Sequence, residues 1–441
     1  MTIILVTTNT KRGSIMKKFL SNYKSTIILL VALIVGAAVG LIFKEKATAL
    51  KPFGDIFLNL LLVVIVPLIF LTITTSVAKM KQPKRLGKIV ASIIFVFVIT
   101  SIVAVLIGFL STYFIKLVNP EDTEKIKEAF VEEETENSEE EMTILERTVD
   151  LLTVNDFSKL LSRNNLIALL VASVIFGVAM NMSKEKAEPV LKVLISANEI
   201  INNIIKIIMY YAPIGLGCYF AAVIGELGSS IAVGYLKTFV IYFVVAILFY
   251  IIMYSLYVFV AGGKRGLKLY WKNIIPATLT SLATCSSAAC IPVNIEGAKK
   301  MGVPEDIAET TIPLGTSFHK DGSIIGSVFK IMFLVCLFGT SLNTVGSVFS
   351  ILGVALLATL LVTAVPIGGG TISEMLIITM MGYPVAALPI LTIIATIIDA
   401  PATMLNVVGD SASSMMVARI VDGKDWMNEK DFKEEKETVN V

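Results

Sequence analysis

The chain has 441 residues, of which 55% are hydrophobic and 16% charged, where soluble domains carry roughly 25% charge. The apolar residues are bunched into long runs with the charges confined between them, which excludes a soluble globular enzyme and makes lipid the solvent for those runs. The formal charge is only +2, and Lys and Arg sit in short loops rather than in a continuous basic stripe, which argues against a nucleic-acid partner.

Residues 1–24 carry Lys11, Arg12, Lys17, Lys18 and Lys24 ahead of the first apolar run. The runs at 26–43, 53–77 and 89–115 are each long enough to cross a hydrocarbon core of about 30 Å. The first run is long, lacks a clear cleavage site and is followed by further spans, so it reads as an uncleaved span rather than a signal peptide. Further basic loops hold Lys79, Lys81, Lys84, Arg85 and Lys88, then Lys264, Arg265 and Lys268. The positive-inside rule puts these loops and both termini in the cytoplasm. The acidic stretch 119–147 and the GELGSS loop at 225–230 then lie outside. The acidic stretch has the composition of a solvated insertion; the sharper reading is that it concentrates cations at an extracellular mouth. The segments read as 25–85 (spans one and two), 86–118 (span three), 148–230 (spans four and five), 231–262 (span six), 263–422 and a charged cytoplasmic tail, 423–441, forming a short surface helix or no fixed structure.

Beyond residue 270 the apolar runs are interrupted by Ser, Gly, Pro, Asp and Asn. Non-helical backbone at membrane depth is tolerated only where it is buried in protein or lines an aqueous cavity, so the interruptions mark a site. Two small-residue tips, TSLATCSSAACIPVN (280–294) and TAVPIGGGTISEM (363–375), are each followed by an apolar segment with polar residues, HKDGS (319–323) and DAPATMLNVVGD (399–410). A repeated hairpin plus broken helix predicts an all-α polytopic membrane protein with inverted repeats and a site near the midplane. The Ser-rich tip offers backbone amides at a helix start, which suits a carboxylate; Gly368, Gly369 and Gly370 suit a lid and a cation. Asp321, Asp399 and Asp410 each need a counter-charge or an ion inside an apolar segment, and with Asn406 they favour coordination of an ion and an amine. Carboxylate and carbonyl ligands without a thiolate or imidazole cluster suit Na⁺, and no organic cofactor is expected. Cys218, Cys285, Cys290 and Cys336 fall in apolar or hairpin sequence and suggest no disulfide. The methionines between Met375 and Met416 read as packing.

These segments resemble the dicarboxylate and amino acid:cation symporters, the glutamate transporters and neutral amino acid exchangers among them. The likeness rests on VVIVPLIFLTI (63–73), APIG (212–215), SSAACIPVN (286–294), IPLGTSFHKDGS (312–323) and MLNVVGD (404–410). It implies eight transmembrane helices plus two re-entrant hairpins in a homotrimer; the lean loops suit the inner, plasma membrane of a bacterium. Spans one, two, four and five would form the scaffold, and spans three and six with 263–422 would move against it as an elevator.

The resemblance also implies site roles. Ser286, Ser287 and Asn406 would hold the substrate α-carboxylate with Ser323, Gly368 and Gly369 nearby, and Asp399 with Thr403 would hold its amino group. The Arg that clamps an acidic side chain is replaced by Ala402, and a second Arg found in some members by Cys285. Losing that charge-assisted pair is worth roughly 1.5–3 kcal/mol, so a small neutral amino acid is the expected substrate, with a dicarboxylate or acidic amino acid the alternative. Thr100, Ser101, Gly315, Ser317, Asp321, Asn406 and Asp410 match cation ligands. His319 replaces an Asn ligand and Lys320 a Met, so the Lys320 ammonium could stand in for a cation, or Lys320 or His319 could couple protons; alternatively Lys320 pairs with Glu374 or another carboxylate and leaves Na⁺ coupling untouched. The Glu of proton-coupled members is Ser327 here. Readings from other classes are a channel and a membrane-embedded enzyme, in which His319 would serve Ser287 as base.

Overall fold

The computed structural model describes residues 24–78, 86–118, 153–162, 165–227, 229–342, 344–360 and 369–427. The N-terminal segment, the acidic stretch, Gly368 and the tail beyond 427 lie outside the described residues. Apolar helices come first: α1 (Lys24–Phe43), α2 (Lys51–Ala78), α3 (Leu86–Tyr113), α4 (Leu166–Ser183), α5 (Glu188–Leu227) and α6 (Ser229–Leu248). A π-helical turn, Phe249–Met253, leads from α6 into α7 (Tyr254–Asn273). Among the described residues Lys88–Tyr113, Ile231–Asn273 and Val385–Asp422 are long and apolar enough to cross a bilayer, and Val171–Ile208 with Tyr210–Glu226 adds a fourth as a pair bent by 50°.

The chain then breaks at short intervals. The first hairpin is α8 (Ile275–Thr284) and α9 (Ser287–Lys300), turned by Cys285 in the left-handed region at φ 47° and extended Ser286. The seventh segment is α10 (Glu305–Phe318) and α11 (Asp321–Leu337), separated by extended His319 and Lys320. The second hairpin comprises α12 (Val345–Leu360) and α13 (Gly369–Met381), followed by α14 (Leu388–Asp422).

Two sequence expectations need correction. The second repeat was expected to end in a broken helix, but α14 runs unbroken through Pro401 for 35 residues. Its polar side chains supply what a break would otherwise supply, because Asn406 and Asp410 meet the backbone gap in the neighbouring α10–α11 segment. The tail was expected on the surface from residue 423, but Trp426 and Met427 are buried. Helix α7 kinks at Gly262 and Gly263, the latter at φ 60°. The kink exposes the Ala261 carbonyl, which accepts from Trp426 Nε1 at 2.9 Å and Arg419 at 3.4 Å.

Packing divides the helices into two groups. Helices α1 and α2 each pack against α5, and α4 packs against α2, with Gly36 on α1 set against Gly217 on α5; small residues of this kind let helices approach closely in a membrane. Helices α3 and α7–α13 gather around α14 or its neighbour α11. Helix α14 is buried along most of its length, including Met404 and Met415.

Candidate functional site

The site is built where the break in the seventh segment meets α3 and α14. His319 is fully buried. Its Nδ1 lies 3.0 Å from Asp410 Oδ1, and its Nε2 lies 2.9 Å from Thr100 Oγ1 and 3.3 Å from Asp321 Oδ1. The ring stacks on Phe97 with centroids 4.5 Å apart. Tyr254 donates to the Leu405 carbonyl at 2.7 Å and lies 3.2 Å from Asp321 Oδ2. Gly315 is pressed against the Asp410 carboxylate, with no room for a β-carbon.

Asp321 Oδ1 and Asp410 Oδ2 are buried here without a hydrogen-bond partner, as is Ser101 Oγ next to Thr100 on α3. Oxygen acceptors stranded in an apolar interior are costly. Hydroxyl and carboxylate oxygens of this kind are ligand types that suit a hard cation. Lys320, half-buried in the break, acts electrostatically on Asp410. Ser317 is half-buried on α10.

One turn along α14, Asn406 secures the start of α11. Its Oδ1 accepts from the amides of Gly322 at 3.0 Å and Ser323 at 3.2 Å, and its Nδ2 donates to Ser323 Oγ at 3.0 Å. The side chain thus caps a helix belonging to another segment of the chain. Ala402 is buried against Gly322, where the two backbones approach so closely that a β-carbon on Gly322 would collide with Ala402.

Asp399 differs from the other two aspartates in being exposed. An exposed carboxylate in the middle of an apolar helix must face an aqueous cavity rather than lipid. Thr403 Oγ1 lies 3.4 Å from it, and Cys285 at the first hairpin tip is close enough to interact with it. At that tip Ser286 Oγ accepts from the Ala289 amide at 3.3 Å, Ser287 begins α9, and Ala288 and Ala289 are exposed. Gly369 begins α13.

The structure therefore brings Thr100, Gly315, His319, Asp321 and Asp410 into one cluster, with Asn406 and Ser323 beside it and Asp399 with Thr403 further along α14; Ser101 is buried next to Thr100 on α3. It does not give His319 to Ser287 as a base, since both ring nitrogens face other partners. Glu374 is paired with Lys330 at 3.5 Å, not with Lys320. Sequence reasoning missed Lys330, a cation inside an apolar run and visible by the rule applied to the aspartates. It also missed the clasp between hairpin and α14, in which Asn294 donates to the Val407 carbonyl at 2.7 Å and accepts from Ser411 at 2.5 Å.

A sequence model of the family described as "Sodium:dicarboxylate symporter family" matches residues 26–420. The chain is 26% identical over 409 residues to a "Proton/sodium-glutamate symport protein" of Geobacillus stearothermophilus, covering 89% of this chain and 93% of the relative. It is 26% identical over 395 residues to a "C4-dicarboxylate transport protein" of Anaeromyxobacter sp. (strain K), covering 89% and 88%. A "C4-dicarboxylate transport protein 2" of Pseudomonas aeruginosa (strain UCBPP-PA14) is 28% identical over 411 residues, covering 90% and 91%.

Proposed function

This chain belongs to the sodium:dicarboxylate symporter family, which makes it a cation-coupled membrane transporter and not an enzyme, and we propose that its substrate is a small neutral amino acid. The observation that carries this reading is the exposed Asp399 beside Thr403 and the first hairpin tip. An exposed carboxylate in an apolar helix needs a cation, and a substrate ammonium is one. The Ser286–Ser287 tip supplies helix-start amides for the α-carboxylate. Buried Ala402 supplies no cation for a second carboxylate. A second reading, an acidic amino acid or dicarboxylate, is favoured by the names of the relatives.

Na⁺ is the coupling ion in this reading, held among Thr100, Ser101, Asp321 and Asp410, with protons as a further coupling ion through His319. Two arrangements satisfy the histidine. An imidazolium donates from Nδ1 to Asp410 and forms an ion pair with Asp321; a neutral ring donates from Nδ1 to Asp410 and accepts the Thr100 hydroxyl at Nε2. Moving between them takes one proton. In this reading Lys320 substitutes for a cation near Asp410.

The separate packing of α1, α2, α4 and α5 from the helices around α14 supports an elevator in which 25–85 and 148–230 form the scaffold of a homotrimer in the plasma membrane. Ile34, Val63 and Tyr210 leave apolar surface on that group for lipid or neighbouring protomers. The test is thermal stability of the purified protein against L-serine, L-alanine, L-aspartate and succinate, each with Na⁺, with K⁺ alone and at two pH values. Stabilisation by neutral amino acids supports the reading; stabilisation by succinate alone refutes it.

A further inference from the structure

A second buried ionic group lies along α11 and α14, away from the His319 cluster. Lys330 on α11 is 5% exposed and Glu374 on α13 is 1% exposed, with Nζ and Oε1 3.5 Å apart. The Thr392 hydroxyl of α14 donates to Glu374 Oε2 at 2.7 Å, while Oε1 has no hydrogen-bond partner. The contact is therefore ionic but loose, and it ties the second hairpin to α11 and α14 at one point.

Helical spacing connects this group to the substrate pocket. Ser323, Ser327 and Lys330 follow the i, i+4, i+7 pattern and share one face of α11. Ser323 bonds Asn406, and Ser327 lies 3.0 Å from Thr359 and 3.5 Å from Ser373 on the two arms of the second hairpin. Thr392 and Asp399 are seven residues apart on α14 and also share a face. Lys330 is close enough to act electrostatically on Asp399. Among the described residues one ammonium, Lys330, thus acts on two carboxylates, Glu374 and Asp399.

We propose that the Lys330–Glu374 pair determines the substrate class at this pocket: Glu374 keeps the Lys330 ammonium off Asp399, so that Asp399 is left for a ligand that brings an amine. The proposal rests on the reading of Asp399 as the amine site. Without Glu374, Lys330 is released to Asp399 as an internal competitor. Without both, Asp399 again lacks a partner and the amine is wanted as before. The pair acts through Asp399, so both members are positioning residues.

The test uses full-length protein in proteoliposomes, with L-serine, L-aspartate and succinate as probes and the parent, D399N, E374Q, K330M and the double variant K330M/E374Q as proteins. Concentration dependence of uptake separates KM from maximal rate. Glu374→Gln is expected to raise KM for both amines by about tenfold or more and to leave any succinate uptake no weaker. The double variant is expected to return the amine KM to the parent value. K330M alone strands a buried carboxylate and is a poor folder on this account, but the double variant does not depend on it. An E374Q protein that takes up both amines with the parent KM, or a double variant as impaired as E374Q, overturns the proposal alone. Selective loss of L-aspartate and succinate in the double variant also overturns it, by making Lys330 a contact for the distal carboxylate. A parent that takes up neither amine, or a D399N protein that takes up both normally, overturns the amine reading and the proposal with it.

Discussion

Replacing Asn406 separates its role as a cap from its role as a ligand. Asn406→Ala removes the acceptor for the Gly322 and Ser323 amides and the donor to Ser323 Oγ. Loss of a cap costs about 0.5–2 kcal/mol, and each buried donor left unsatisfied about 1–3 kcal/mol. The three contacts share one site and do not add, so the expected loss is about 2–4 kcal/mol. Asn406→Asp retains both amide acceptors, and the Ser323 hydroxyl can turn to donate, so it should keep most of the stability. It adds a negative charge one turn from Asp410 and should change the cation dependence instead. Thermal unfolding in detergent, with and without Na⁺, reads both effects. The reasoning fails if the Ala variant unfolds at the parent temperature, or if the Asp variant loses as much stability as the Ala variant.

Four further outcomes are expected. Gly315→Ala drives a β-carbon into the Asp410 carboxylate, so it should displace the His319 contact and abolish Na⁺-dependent stabilisation; unchanged Na⁺ dependence counts against the proposed cation site. Tyr254→Phe removes a buried hydroxyl from the Leu405 carbonyl and should lower stability by about 1–3 kcal/mol, read by thermal unfolding. Trp426→Phe keeps an apolar ring but loses the donor to Ala261; proteolysis should show a looser tail, with uptake retained. In the exposed connection between α9 and α10, hydrogen bonds from Lys299 hold Glu305 below the usual carboxylate range, while Lys299 itself is raised by Glu305 and Glu309. The carboxylate's contribution is present above its unfolded value and fades as pH falls through its lowered folded value. The lysine's contribution is present below its unfolded value and fades as pH rises through its raised one. Glu305→Gln should therefore make a small difference to unfolding that stays flat through neutral pH.

What could be read from the sequence follows from how local the physical cause is. The breaks around Cys285–Ser286 and His319–Lys320 were legible because Ser, Gly and charged residues inside apolar runs demand a reason at that point in the chain. Asp321 and Asp410 were legible as needing partners, and the structure supplies them in His319. The identity of partners was not legible, because pairing depends on which faces of distant helices meet. Glu374 is one of several carboxylates that sequence alone can offer to Lys320, whereas the helix phase of α11 presents Lys330 to it on α13. The segment 399–410 reads as a broken helix, yet α14 continues, because its Asn406 and Asp410 serve the break in the neighbouring α10–α11 segment. The buried Trp426 could not be foreseen from a charged tail, since its partner is a carbonyl freed by a glycine kink over 160 residues earlier in the chain.

The most direct measurement is uptake of radiolabelled L-serine, L-alanine, L-aspartate and succinate into proteoliposomes under an imposed Na⁺ gradient, a proton gradient or neither, with the parent and D399N compared. The account predicts that the neutral amino acids accumulate only when a cation gradient is imposed, and that D399N abolishes their accumulation. Accumulation of succinate alone, or neutral amino acid uptake that is indifferent to both gradients, would contradict it.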